Sequence, residues 1–409
     1  MKNVQKEKIL PEIVISFILL ISIFVPMFLH GLYPILTVYD ILIIVLLLFV
    51  LATRGVKKAI QRIYSKNHLV LISIVVYFVT ILISALINKV PLMGFVFNLQ
   101  LSITFFIFWF ICAIYLNKHF FSKLKNYILF ISHINFIFVL VEYFILGYKQ
   151  DLLGGIFGIY VGCNTLANVF MCLVCIVALQ KYLNKHLSLL QLFIMLIENL
   201  LFAAFSEVKV FFVELAIIIL LSVLFNKFSI KLIIIVVVAV LVGMVSIRIF
   251  YNIFPYYKNV FSIDGIIDSL NNAYSTNRGL TRGTGLSFIQ DNFLTTSFYK
   301  WFGIGFGNVV YTSIPYIPTF FYQEYGYLKY NWFTHLYKFL ETGWLGLLSF
   351  ASFFIFSIFT RCENKENLNI SKILGIICII FLIYDTTLMN PYTMYPIACF
   401  LAMPYIISD

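Results

Sequence analysis

Charge is what this chain has least of. Asp, Glu, Lys and Arg together make 11% of its 409 residues, against 62% hydrophobic residues and a mean hydropathy of +1.00. A soluble globular domain carries about 25% charged and about 45–50% apolar residues. Too few polar side chains remain to cover a surface, so a soluble domain is excluded and a polytopic helical membrane protein is expected. The apolar stretches are long runs rather than short alternating strands, which argues against an outer-membrane barrel. Useful cysteine spacing is missing too. Cys172 and Cys175 form a CxxC inside an apolar run with no second pair, so packing is the reading rather than zinc or redox chemistry. No small-residue cleavage pattern follows Lys2, Lys6 and Lys8, and the first apolar run is expected to be a retained helix. Internal repeats of 20–50 residues and inverted halves are also missing, which weighs against a transporter.

What is present is a succession of apolar runs. A bilayer core needs about 20 apolar residues per helix, which gives about twelve spans here. They fall at 11–30, 35–52, 69–87, 99–117, 127–147, 163–181, 187–205, 208–226, 230–250, 333–358, 372–389 and 391–407. The predicted fold is therefore an all-α transmembrane bundle with one large loop between helices nine and ten. Its parts are helices one to nine (1–250), the loop (251–332) and helices ten to twelve (333–409). The net charge of +11 does not point to nucleic acid, because the basic residues sit in short links between apolar runs. With the N-terminus cytoplasmic, the links at 54–66, 118–125, 181–185, 227–231 and 361–372 are all inside and all basic. Both termini are then cytoplasmic and the long loop is extracytoplasmic. Attraction to anionic head groups is a further consequence of these links.

Aromatic residues are common and charges few in the loop, the reverse of a disordered composition. Ile263, Ile266, Ile267 and Leu270 follow helical spacing, and Leu286, Ile289 and Phe293 continue a similar pattern. Short helices on the outer membrane surface are expected. Ionisable residues predicted to be near the membrane lean to the same side: Asp40, Glu142, Glu207, Lys209, Glu214, Arg248, His335, Lys338, Glu341 and Asp385. Glu198 is nearer mid-membrane. Each alone reads as an ion pair or a snorkelling side chain. Together they suggest a polar cavity in the outer half, since charge inside a membrane is costly and tends to mark function.

Two loop motifs suit an anion. Arg278 and Arg282 are four apart among Ser275, Thr276, Gly279, Thr281, Gly283, Thr284 and Gly285. Arginine grips phosphate oxygens in two places, and glycines allow backbone N–H groups to approach an anion. Two solvated arginines are the simpler alternative. Gly303, Gly305 and Gly307 do not make a dinucleotide fingerprint, because no strand–helix unit surrounds them, and a tight turn is the plain reading. His335 can accept a proton from a hydroxyl near neutral pH, although a lone histidine is often structural. Lys338 and Glu341 share a helix face, and Gly343 and Gly346 allow close helix packing.

The order of these pieces resembles the O-antigen ligase and polymerase superfamily: an arginine-bearing outer loop, a glycine-rich turn, then His335, Glu341, Gly343 and Gly346 at the next helix start. Residues 154–168, with Gly154, Gly155, Asn164 and Asn168, resemble that family's approach to a middle helix. The outer link at Ser206 and Lys209 resembles a Ser-Arg link, with lysine in place of the arginine. The family commonly has His-Asn, whereas Leu336 follows His335 here. The resemblance covers residues 150–409 in pattern and the rest in topology.

It implies a glycosyltransferase of the bacterial inner membrane that uses an undecaprenyl diphosphate-linked oligosaccharide and no metal or other cofactor. On that reading Arg278, Arg282, Lys209 and Arg248 hold the diphosphate. His335 is the base or orients the acceptor, and Glu341 supports it. The loop has no DxD-like pair, in keeping with chemistry that needs no metal. The product would be a capsule, O-antigen or exopolysaccharide chain. Membrane lipids, a flippase and chain-length regulator proteins are the implied partners. Polymerisation is favoured over transfer to a different acceptor, and a lipid-linked sugar transporter is the alternative from another class.

Overall fold

In a computed structural model of the protein, the described residues are 11–22, 42–43, 45–47, 56–226, 230–271, 279–310 and 320–406. Their regular structure is helical, with no β-strand among them. In chain order the helices are α1 (Pro11–Ser22), α2 (Val56–Ile87), α3 (Leu92–Tyr115), α4 (Lys118–Leu140), α5 (Cys163–Leu183), α6 (Leu189–Phe205), α7 (Lys209–Phe225) and α8 (Ile230–Ile253). Short helices α9 (Ile263–Asn271), α10 (Gly285–Asn292), α11 (Ser297–Phe302) and α12 (Phe320–Tyr325) follow. The chain closes with α13 (Thr334–Ser357), α14 (Lys365–Tyr384) and α15 (Pro391–Ala402). Seven helices among the described residues are long and apolar enough to cross a membrane. Of the first expected span, residues 11–22 are described as α1, and most of the second, 35–52, falls outside the described residues.

Several helices start earlier than hydropathy predicts, because polar caps rather than apolar content set their ends. Asn117 accepts from the Phe120 amide, so α4 begins at Lys118 and not at 127. Asn364 caps α14 in the same way, and that helix runs 365–384 instead of 372–389. Ser188 and Gln191 form a reciprocal capping box on α6. α2 extends back to Val56 across a kink at Asn67, whose amide nitrogen donates to the Phe356 carbonyl at 2.6 Å.

The centre is α5. From Leu166 to Gln180 every side chain is buried, Cys172 and Cys175 included, so the CxxC packs within the bundle. α6, α7, α14 and α15 pack around α5. α13 lies against α2, α14 and α11, and α15 lies against α3. α8 packs on α6 and α7 and keeps much of its apolar surface exposed. α9 forms where the spacing predicts it, with Ile263, Ile266, Ile267 and Leu270 all exposed. α10 ends before Phe293, whose ring instead packs on Phe321 and Tyr325. α10 and α11 rest on α13 and so bring the loop motifs to it.

Candidate functional site

The site grows from a break in α13. Gly343 has φ +63° and ψ −162°, so the helical ladder stops and the Leu340 and Glu341 carbonyls lose their partners one turn on. The glycine-rich turn replaces them. The Ile304 amide donates to Leu340 at 3.0 Å and the Gly305 amide to Glu341 at 3.3 Å. The Ser84 hydroxyl adds a third bond, to the Glu341 carbonyl at 2.8 Å. Such contact needs two bare backbones. A Cβ on Gly303 would lie 2.3 Å from the Glu341 carbonyl carbon, and one on Gly343 would lie 2.4 Å from that of Trp301. Both glycines have positive φ, which other residues adopt only under strain. The motif is thus a turn, as its sequence suggests, and it is also the brace of the broken helix.

Glu341 is fully buried behind this brace. Its Oε1 accepts from Asn98 Nδ2 at 2.5 Å and from the Gly307 amide at 3.1 Å, while Oε2 makes no hydrogen bond. Asn98 is held in turn by the Tyr337 hydroxyl at 3.2 Å. Lys338, one turn before Glu341, does not reach it as an ion pair. Its Nζ donates to Ser102 at 2.8 Å among the rings of Tyr77, Phe306, Tyr337 and Phe350.

His335 stands at the opening of α13, about 9 Å along the axis from Glu341 at 1.5 Å per residue. Its Nε2 is 3.3 Å from the Arg282 carbonyl. A carbonyl only accepts, so Nε2 carries the proton and Nδ1 is the nitrogen able to take another. Nδ1 makes no hydrogen bond, and the Leu382 backbone is the ring's other neighbour. Arg282 is held firmly. Its Nε donates to the Tyr384 carbonyl at 2.8 Å, and its guanidinium lies 4.0 Å over the Tyr384 ring and 5.2 Å from that of Phe333. Asp385, one residue past α14, is its electrostatic neighbour, and burial pushes that carboxyl up to about 6. The Asp385 carbonyl accepts from both the amide and the hydroxyl of Thr334, which ties the end of α14 to the start of α13.

The structure therefore brings Arg282, His335 and Asp385 together, with Glu341 behind them. It places two other expected anion ligands elsewhere. Lys209 Nζ is 3.0 Å from Glu207 and 3.4 Å over the Tyr257 ring, in the link between α6 and α7. Arg248 is exposed on α8, whose neighbours are α6, α7 and the Pro255–Tyr257 turn. Arg278 lies outside the described residues, as does Asp40. Other acidic residues of the set have structural duties. Glu142 accepts from the Gly155 amide at 2.7 Å, Glu198 meets His133 at 2.8 Å, and Glu214 accepts from the Cys172 thiol at 3.2 Å.

Asn98, Ser102, Ser84, Asn88 and Tyr384 were not picked out by the sequence reading. The signal was available: Ser84 and Asn88, and Asn98 and Ser102, are i, i+4 pairs of polar residues on apolar helices. They share a face and need a polar partner. No family model matches this chain, and no match is found among curated proteins.

Proposed function

We propose that the protein is a membrane glycosyltransferase that polymerises undecaprenyl diphosphate-linked oligosaccharide repeat units into a surface polysaccharide. The observation that carries this reading is the meeting of Arg282 and His335 at the mouth of the broken α13, backed by the buried Glu341 network. A cation held in place by a carbonyl and an aromatic face stabilises a leaving diphosphate without reorganising as its charge develops. A neutral imidazole beside it accepts the proton of an acceptor hydroxyl. The hydroxyl oxygen attacks the anomeric carbon, the bond to the diphosphate breaks, and the diphosphate leaves with the electron pair. Arg278, Lys209 and Arg248 belong to the same proposal as ligands of the incoming donor. So does the topology: about twelve spans in the cytoplasmic membrane, both termini inside, and residues 251–332 with the reacting groups on the outer face. Flippase and chain-length regulator proteins are the expected partners, and membrane lipid surrounds the donor's tail.

The test uses purified protein in detergent with a lipid-diphosphate-linked repeat unit as sole substrate and products sized on a gel. A ladder of multiples that disappears in Arg282→Ala supports polymerisation. Transfer only after a separate acceptor is added converts the reading to a ligase. Neither product, with an active control enzyme on the same substrate, removes it and leaves transport as the class to test.

A further inference from the structure

A second polar site lies at the far end of α13 from His335. α13 has 24 residues and breaks at Gly343, so its two ends are at most about 36 Å apart at helical rise. There, a cavity of about 320 Å³ is lined by Lys66, Lys118 and Arg361, with Glu363 as its one carboxylate and Asn364 at its edge. Lys118 and Arg361 are exposed, and neither side chain has a hydrogen bond or ion pair among the described residues. Lys66 is different: its Nζ donates to the Pro404 carbonyl at 2.6 Å and so anchors the Met403–Tyr405 turn at the cavity.

Two helices also begin at this cavity. Lys118 is the first residue of α4, and Asn364 is the N-cap of α14. Helix starts present N–H groups and the positive end of the dipole, which adds to the field of the three cations. Among the residues that line the cavity, Glu363 alone opposes this. Met403 and Ile406 add apolar side chains to the lining. A positive cavity with an apolar wall at the end of a membrane bundle matches a phosphate head group whose acyl chains run down the outside of the helices.

We propose that this cavity binds the phosphate of an anionic phospholipid head group, held by Lys118 and Arg361 with Lys66 behind them. The proposal does not depend on the chemistry at Arg282 and His335. The test is native mass spectrometry of the full chain in detergent, titrated with phosphatidylglycerol, phosphatidylcholine or inorganic phosphate. Wild-type protein is expected to retain phosphatidylglycerol over phosphatidylcholine. The variant K118A/R361A is expected to retain phosphatidylglycerol about thirtyfold more weakly, given what each basic residue near a membrane surface contributes. Both side chains are exposed, and an unchanged melting temperature checks that the variant is folded. Glu363→Gln removes the opposing charge and is expected to strengthen retention. Equal retention by wild type and the double variant, or no preference between the two lipids, overturns the proposal. Displacement of phosphatidylglycerol from the wild type by millimolar phosphate assigns the site to a soluble phosphate and overturns the lipid source.

Discussion

Lys125 and Glu366 meet in the buried interior near one end of α13, and Lys338 and Glu341 sit near the other. The first pair is closed. The Lys125 ammonium contacts the Glu366 carboxylate and donates to Asn367 at 3.0 Å, and His186 approaches the second carboxylate oxygen at 3.3 Å. The second pair is open. Lys338 turns to Ser102 and a box of rings, and Glu341 takes two neutral donors while keeping one oxygen without a partner. Both carboxylates are buried within an apolar bundle. Glu366 is neutralised by a cation, whereas Glu341 is braced by neutral donors alone, as Glu142 and Glu214 also are, and its place behind Arg282 and His335 is what sets it apart from those two.

The largest effect expected from this contrast is on stability, at the closed end. Glu366→Gln leaves Lys125 as a buried charge with no counter-charge, which costs about 3–5 kcal/mol. Thermal unfolding in detergent reads it. Protein that remains folded should still transfer normally, and a loss of transfer without a loss of stability would show that the closed pair also serves function.

At the open end the expected losses are in rate. His335→Ala should lower transfer about 100-fold or more if the imidazole acts as a base. His335→Gln decides the role. Glutamine keeps an N–H donor for the Arg282 carbonyl and has no basic nitrogen. Equal loss in both variants supports the base, whereas recovery in the glutamine variant would falsify it and make His335 a strut between α13 and the loop. Glu341→Gln is milder, since its oxygen still accepts from Asn98 and Gly307. Transfer is expected to fall about tenfold, roughly 1.4 kcal/mol, with an unchanged melting temperature. A fall in stability like that of Glu366→Gln would erase the distinction between the two ends.

Much of the bundle was legible because hydropathy runs report helices directly: α5 begins where the apolar run does, and α9 follows its four-residue pattern. The starts of α4 and α14 were missed because Lys118, Lys365 and Glu366 read as link residues until Asn117 and Asn364 are seen to cap them. At the site, Arg282 and His335 were both named, and the structure joins them. The link from Gly303 to Gly343 was hidden, because it is a backbone contact across forty residues with no local periodicity. At Lys209 charge and position suggest an anion ligand, and the structure adds two neighbours that the sequence did not point to, Glu207 close by in the chain and the Tyr257 ring far from it.

The smallest effect concerns Asp385, which ties α14 to α13 and faces Arg282. Its carboxyl holds its proton up to about pH 6 in the folded protein and releases it near 3.8 in the unfolded chain. The folded state therefore binds the extra proton between these values, and stability from this group falls as pH rises from 3.8 to about 6, then stays level. Asp385→Asn has no proton to lose. The difference in melting temperature between wild type and this variant should drift downward for the wild type across that window and flatten above it. A difference that is constant from pH 4 to 7 would mean that Arg282 and the Thr387 amide hold the carboxylate ionised throughout, making the end of α14 a second closed pair like Lys125 and Glu366.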